Sequence, residues 1–338
     1  MTAKIAVLGG GSFGTVIANI LAENGHAVNL WLRDRELVEI INTRHENPVY
    51  HPGYKLGELI HASASLGQVL KQAELVYLSI PGKAFRTVLQ QARQFMPEQA
   101  TLVSTTKGIE AGTFKLMSQI IADEFHGHPC GVMSGPNLAG EIARHQLTAS
   151  VIASKDEAVC KRVQNTLACG YFRLYGSTDV CGVELGGVLK NIYAIMAGMA
   201  SAMGLGQNTV SMLMTRSLAE MSRFAVHFGA DPITFLGLSG VGDLFVTCTS
   251  PLSRNFRIGF ELGKGVSLDD AVKQVGQIAE GVNTLSQIKL KADELGVSMP
   301  LATSLHRILF EGSGIEREVA SLMERESAND VEFSLRAD

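Results

Sequence analysis

Lys4-Ile5-Ala6-Val7-Leu8-Gly9-Gly10-Gly11-Ser12-Phe13-Gly14-Thr15 is the stretch on which the reading of this chain turns. A short apolar run leads straight into Gly9-x-Gly11-x-x-Gly14. Apolar residues then recur at helical spacing through Val16, Ile17, Ile20 and Leu21. Strand, tight turn and helix in that order are the context that a dinucleotide-binding fingerprint requires. Gly9 permits the turn, Gly11 lets the backbone approach a pyrophosphate, and Gly14 lets helix and strand pack closely. The pyrophosphate is expected over the helix N-terminus, where free N–H groups and the helix dipole favour negative charge. The plainer alternative is an ordinary glycine-rich turn; the strand and helix patterns on either side favour the nucleotide site.

Outward from this motif, β-rich runs alternate with helix patterns. Strands are expected at Ile5–Leu8, Val28–Leu32, Leu75–Ile80, Thr101–Ser104, Cys130–Met133, Thr148–Ala153 and Tyr171–Leu174. Helices are expected at Thr15–Asn24, Arg35–Thr43, Phe85–Phe95, Thr113–Phe125 and Asp156–Ala168. Near-continuous apolar strands in βα alternation imply a parallel sheet covered on both faces. The pattern changes near Gly176-Ser177-Thr178-Asp179. From Val180 onward helix patterns dominate, among them Gly182–Met203, Thr209–Phe228, Phe256–Gly263, Ser267–Val275, Val282–Leu295 and Leu301–Phe310. The expected fold class is α/β, a Rossmann-type doubly wound, mostly parallel sheet followed by an all-α C-terminal domain. Residues 1–178 are expected to bind NAD(P), 179–325 to form the helical substrate and catalytic domain, and 326–338 to be a polar tail.

A chain of 338 residues has room for about two domains with real cores. Hydrophobic content of 46% against 18% charged residues excludes a disordered protein. A net charge of −4 gives no reason to expect nucleic acid or an anionic membrane as partner, so anionic ligands must meet local cations. With a strand from about Lys4, no signal peptide is expected. The apolar stretch Ile192–Met203 is too short to span a bilayer, so no membrane insertion is expected. Cys130, Cys160, Cys169, Cys181 and Cys248 show no C-x-x-C spacing and no clustering with histidine. They read as free thiols in a reducing cytoplasm, and no metal is expected.

The second strand decides between the two nicotinamide dinucleotides. An acid at its end accepts from the ribose hydroxyls in NAD-binding proteins. Here that position is Leu32, followed by Arg33 and Asp34. Arg33 suits a 2′-phosphate, which a carboxylate would repel. Asp34 reads either as the cap of the next helix or as a ribose contact. NADPH is therefore expected ahead of NADH.

Lys190 stands alone in Val183-Glu184-Leu185-Gly186-Gly187-Val188-Leu189-Lys190-Asn191, an otherwise apolar or small run apart from Glu184 and Asn191. Gly186, Gly187 and Ala194 lie near it at helical spacing and make that face narrow, so another group can approach closely. The residue is either a proton-transferring lysine or one that snorkels from a buried helix. Lys107 follows a strand, where ligands of such sheets bind, or is a solvated loop lysine. Ser134-Gly135-Pro136-Asn137 either binds a phosphate or turns the chain. Asp243, in Gly240-Val241-Gly242-Asp243, either orients a lysine or substrate hydroxyl, or shapes a turn. Ser253-Arg254-Asn255 before a helix makes a phosphate site or a solvated helix start. Glu280 before Gly281 reaches a ribose or an amide.

Together these pieces resemble the NAD(P)-dependent glycerol-3-phosphate dehydrogenases of the bacterial biosynthetic type. The match runs from about Ile5 to about residue 320. It rests on the glycine run with Ser12, Phe13 and Gly14, on Asn47-x-x-Tyr50-x-Pro52-Gly53 and on Thr106-Lys107-Gly108-Ile109-Glu110. Ser134-Gly135-Pro136, the Glu184–Asn191 run, Gly240-x-Gly242-Asp243-Leu244, Thr247-Cys248-Thr249, Ser253-Arg254-Asn255 and Glu280-Gly281 complete it. The resemblance implies a Rossmann domain joined to a helical domain like that of 6-phosphogluconate dehydrogenase, with the active site in the cleft between. It implies interconversion of dihydroxyacetone phosphate and sn-glycerol 3-phosphate, mainly in the reductive direction, supplying the backbone of phospholipids. Cofactor contacts are implied for Gly9, Gly11, Ser12, Phe13, Gly14, Arg33, Tyr50, Lys107, Ala139, Arg254, Ile278 and Glu280. Substrate contacts are implied for Lys107, Gly135, Asn137, Lys190, Asn191, Asp243, Ser253, Arg254 and Asn255. Lys190 is implied as the catalytic acid/base, with Lys107 and Asp243 beside it in the catalytic set. Relatives usually carry Ser or Thr at the Asn137 position and commonly Lys at Gly140. A homodimer is expected. The rivals are a 3-hydroxyacyl-CoA or 6-phosphogluconate dehydrogenase on the same architecture, and a nucleotide sensor without catalysis. The first of these needs a His–Glu pair, which the residues around Lys190 do not supply.

Overall fold

The computed structural model describes residues 4–276 and 280–324, which fall into two compact units divided between Glu184 and Leu185. In the first unit, eight strands form one sheet: β1 (Lys4–Leu8), β2 (Ala27–Trp31), β3 (Ile60–Ser63), β4 (Leu75–Leu78), β5 (Thr101–Ser104), β6 (Cys130–Ser134), β7 (Thr148–Ala153) and β8 (Phe172–Ser177). Their order is β3-β2-β1-β4-β5-β6-β7-β8. Seven helices accompany them: α1 (Ser12–Glu23), α2 (Arg35–Arg44), α3 (Leu66–Val69), α4 (Phe85–Ala92), α5 (Met117–Glu124), α6 (Ala139–Ala143) and α7 (Glu157–Leu167). The chain winds outward from β1 in both directions, which places a topological switch point at the β1–β4 edge, beside the glycine run.

Alternation explains the apolar strands. Ile5 and Val7 belong to one hydrophobic cluster, and Ala6 and Leu8 to another. Successive side chains point to opposite faces, so a sheet buried on both sides needs apolar residues at every position.

Three features differ from the sequence reading, the first being the short α3, where no helix was expected. β3 was not expected, because Ile60-His61-Ala62-Ser63 is a four-residue edge strand with only its alternate positions, Ile60 and Ala62, fully buried. β7 runs antiparallel to β6, with Met133 opposite Ile152. The connection between them carries only the five-residue α6, which packs on α1 rather than crossing the sheet. A parallel return needs a full crossover.

In the second unit α8 (Val180–Ala202) begins just before the division, and α9 (Gln207–Ala225), α10 (Asp243–Thr249), α11 (Arg254–Gly263), α12 (Leu268–Val275), α13 (Glu280–Leu295), α14 (Pro300–Phe310) and α15 (Ile315–Met323) follow. No strand occurs among its described residues. α10 and α15 were not anticipated as helices. α8 is long and apolar enough to cross a membrane by composition, but 83% of its apolar window is buried inside the protein, as befits a core helix. α11 lies against it without side chains between: a Cβ on Gly259 would overlap the carbonyl oxygen of Ile195.

Two buried carboxylates pin helix starts. Glu184, in the second turn of α8, accepts from Ser118 N at 3.0 Å and from Ser118 Oγ at the first turn of α5. Glu220 accepts from Leu301 N at 2.6 Å, Ala302 N at 3.2 Å and the Tyr193 hydroxyl at 3.1 Å, at the first turn of α14. N–H groups there lack partners within their own helix, so a buried acid finds its donors ready-made. Burial nevertheless pushes the carboxyl of each up to about 7.

Candidate functional site

In the first unit the glycine run behaves as its spacing implies. Gly9 has φ +117° and its Cβ would overlap Ser79 O. A Cβ on Gly14 would overlap Gly9 O, so the helix start and the strand end touch through bare backbone. A Cβ on Gly11, by contrast, meets nothing within 4 Å. Gly11 is also the N-cap of α1, and no side chain caps that helix. An uncapped helix start facing open space is the cradle that a dinucleotide pyrophosphate needs, so the residues present fit that group. The loop is braced from behind: buried Asn47 donates to Gly10 O at 3.1 Å and to Thr15 Oγ1 at 2.8 Å, and His51 Nε2 donates to Ser12 O at 2.7 Å. The sequence reading did not single out Asn47 or His51 as supports, because their partners lie more than 30 residues away.

At the end of β2, Leu32 is buried against the glycine loop, Arg33 is exposed, and Asp34 accepts from Glu36 N and Leu37 N as the N-cap of α2. Asp34 thus caps α2, through Oδ1 alone, and the Arg33 guanidinium stands directly after Leu32. Phe13 packs partly against the core, and Tyr50 is 40% exposed. Ala139 opens α6.

Beyond β5 and β6, Lys107 Nζ donates to Gly135 O at 3.1 Å, which brings two of the expected substrate residues together. Asn137 turns its amide nitrogen to Ser150 Oγ at 2.9 Å, and Ser150 donates on to Ser134 O at 2.9 Å. That leaves Asn137 Oδ1, together with Ser134 Oγ, buried without a hydrogen-bond partner. This position thus presents a buried acceptor.

The second unit gathers side chains instead. Lys190 is 6% exposed and Asp243 fully buried. Lys190 Nζ donates to Asp243 Oδ1 and, at 2.8 Å, to Thr247 Oγ1. The narrow face of α8 makes this possible: a Cβ on Gly186 would overlap Ser239 O, so the π-helical turn Leu238–Gly242 lies directly on it and delivers Asp243 at the start of α10. Lys190 is therefore a buried, paired lysine rather than a snorkelling one. Thr247 was quoted in the motif but given no role. Its signal is its spacing, one turn after Asp243 on the same helix.

Beside this pair, Asn255 Nδ2 donates to Asn191 Oδ1 at 2.9 Å, and Gly281 N donates to Asn255 Oδ1 at 3.0 Å. Ser253 spends its hydroxyl as the N-cap of α11, accepting from Phe256 N at 3.3 Å. Arg254 is exposed on the first turn of α11, and Glu280 opens α13. Ile278 and the tail 326–338 lie outside the described residues.

Comparison with known proteins matches this arrangement twice along the chain. Residues 4–160 match the model of the NAD-dependent glycerol-3-phosphate dehydrogenase N-terminus, and residues 179–320 that of the C-terminus. The chain belongs to the NAD-dependent glycerol-3-phosphate dehydrogenase family. It is 57% identical over 329 residues to a protein of Azotobacter vinelandii named glycerol-3-phosphate dehydrogenase, NAD(P)+, covering 97% of this chain and 96% of that one. A relative of the same name from Alcanivorax borkumensis is 53% identical over 98% of this chain and 97% of its own. Among solved structures, a glycerol-3-phosphate dehydrogenase from Coxiella burnetii is 35% identical with a TM-score of 0.91, covering 96% of this chain and 99% of that chain.

Proposed function

We propose that this chain reduces dihydroxyacetone phosphate to sn-glycerol 3-phosphate, using NADPH in preference to NADH, and supplies the glycerol backbone of phospholipids. The observation that carries the reading is the buried Lys190–Asp243–Thr247 cluster on the narrow face of α8. The dinucleotide, when bound, supplies hydride to the carbonyl carbon and recovers it in the reverse direction. Gly9, Gly11, Ser12, Phe13 and Gly14 hold its pyrophosphate end through backbone and helix N-terminus. Tyr50, Ala139, Ile278 and Glu280 are assigned further contacts with it by the family resemblance.

Negative charge develops on the carbonyl oxygen during reduction. Lys190 Nζ protonates that oxygen and accepts the proton back in oxidation. Asp243 and Thr247 fix Nζ in place, so that no reorganisation is needed as charge develops. Lys107 adds positive charge, and Asn137 Oδ1, a buried acceptor without a partner, takes the free hydroxyl of the ketone. Arg254, with Ser253 and Asn255 at the start of α11, grips the substrate phosphate. Asn191 orients Asn255 in that role.

Arg33 carries the preference for NADPH, since a guanidinium pairs with the 2′-phosphate. The test is direct: cofactor absorbance is followed with dihydroxyacetone phosphate, first with NADPH and then with NADH. Turnover in both with NADPH favoured supports the reading. A flat trace with both cofactors between pH 6 and pH 9 removes it and favours a nucleotide sensor.

A further inference from the structure

The helical unit holds a second concavity that none of the roles above uses. α8, α9, α14 and α15 enclose a cavity of about 320 Å³, walled by Met196, Met199, Met203, Leu213, Leu301 and Ile308. Met199, Leu213 and Leu301 are each under 9% exposed, so the wall is core-like. At its mouth stand Met212, Val319 and Met323, which are 47%, 39% and 67% exposed. A void of this size forfeits packing contacts along its whole lining, and apolar cavities stay dry and take apolar guests. Methionines, with their flexible and polarizable side chains, suit a guest of variable shape.

The polar groups in the wall narrow the guest further. Glu220 is engaged by Leu301 N, Ala302 N and Tyr193; Glu318 accepts from Ser313 through Oε1, while its buried Oε2 has no hydrogen-bond partner and meets Arg307 only at 3.7 Å. The cations of the wall are Arg216 and Arg223. Arg223 donates to Ser298 O. Arg216 lies one turn from the exposed Met212 on α9, which puts a guanidinium at the mouth beside the apolar rim. With five donors, a guanidinium takes a carboxylate in addition to the partners it already has. A methylene occupies about the volume that water has in the liquid, roughly 30 Å³, so the cavity accommodates a chain of about ten.

We propose that this cavity binds an unbranched aliphatic carboxylate of about ten carbons, chain inward and head group at Arg216.

Isothermal titration of the full chain with hexanoate, octanoate, decanoate and dodecanoate tests this. Binding should tighten roughly four-fold per methylene up to about ten carbons and then level off. Arg216→Gln should weaken decanoate about ten-fold while leaving decan-1-ol unchanged. Ala219→Leu, which fills the wall, should move the levelling-off to a shorter chain, with turnover on dihydroxyacetone phosphate unchanged. If Ala219→Leu does not fold, Arg216→Gln and the chain-length series decide alone. Absence of decanoate binding below millimolar concentration overturns the proposal, as does equal affinity across the series. Binding seen only after removal of residues 325–338 makes the chain's own terminus the occupant and overturns it too. Binding abolished by self-association of the protein makes a second copy the occupant, with the same consequence.

Discussion

In the first unit the candidate ligand cradle is made of backbone. Gly9 and Gly14 touch through bare main chain, Gly11 faces open space, and the helix start has no side-chain cap. In the second unit the candidate reacting groups are side chains, Lys190, Asp243 and Thr247, held on α8 and α10, and Gly186 of α8 is spent on packing. Glycine thus serves opposite ends in the two halves. At Gly11 the missing Cβ leaves room for a ligand, and at Gly186 it leaves room for the chain itself. On the proposed function the difference is a division of labour: one unit would bind an anion with dipoles that cannot titrate, and the other would move a proton with a group that can.

The substitution expected to have the largest effect is Lys190→Ala. Loss of a general acid lowers kcat on the order of 10²–10⁴-fold in the steady state. Retention of near wild-type turnover would return Lys190 to a structural role. Next is Thr247→Val, which removes one of the hydrogen bonds positioning Nζ. A hydrogen bond to a charged group contributes about 1.5–3 kcal/mol, so kcat should fall roughly ten- to a hundred-fold with KM for the cofactor unmoved. A cofactor KM that rises in parallel would blur the two units' roles. Gly11→Ala probes the other side of the comparison. Its Cβ meets nothing, so the thermal midpoint should stay near wild type while NADPH affinity drops about ten-fold or more. An unchanged dissociation constant would mean that the open space is not where the pyrophosphate sits.

The two raised carboxylates give the smallest effect and set the same comparison in terms of stability. Glu184 and Glu220 are held up to about 7 from the ordinary 4.5 by burial. The folded state therefore binds more protons than the unfolded state between these values. The linkage slope is negative there, so stability contributed by each acid declines as pH rises from about 4.5 to about 7 and is level beyond. Glu184→Gln removes one titration and should make the variant gain stability relative to wild type across that window, by urea melts at pH 5 and pH 7.5. A gap between the two proteins that does not change with pH contradicts the raised carboxyl. Glu220→Gln should behave alike. A response in one and not the other would show that the two helix-start anchors are not equivalent.

What the sequence revealed follows the same line. Backbone-made features are visible because glycine spacing writes them directly: the cradle from Gly9 to Gly14 and the strand alternation behind it needed only local pattern. Lys190 was visible as an anomaly, a lone charge on a narrow apolar face. Its partners were harder. Asp243 sits 53 positions away, and only the π-helical turn packed on Gly186 shows that it meets Lys190 rather than closing a turn. Edge strand β3 and the reversal of β7 stayed hidden because each depends on a neighbour's register or on the reach of a connection, not on its own residues. The direction of the Asn137 side chain could not be read at all, since it is set by Ser150 on the neighbouring strand.

The claim that binding and proton transfer are divided between backbone and side chains is tested most directly by titrating Lys190→Ala with NADPH, following fluorescence, and assaying the same preparation for turnover. The account predicts a dissociation constant within about two-fold of wild type alongside turnover reduced at least about a hundred-fold. Loss of NADPH binding, or turnover near the wild-type rate, would contradict it.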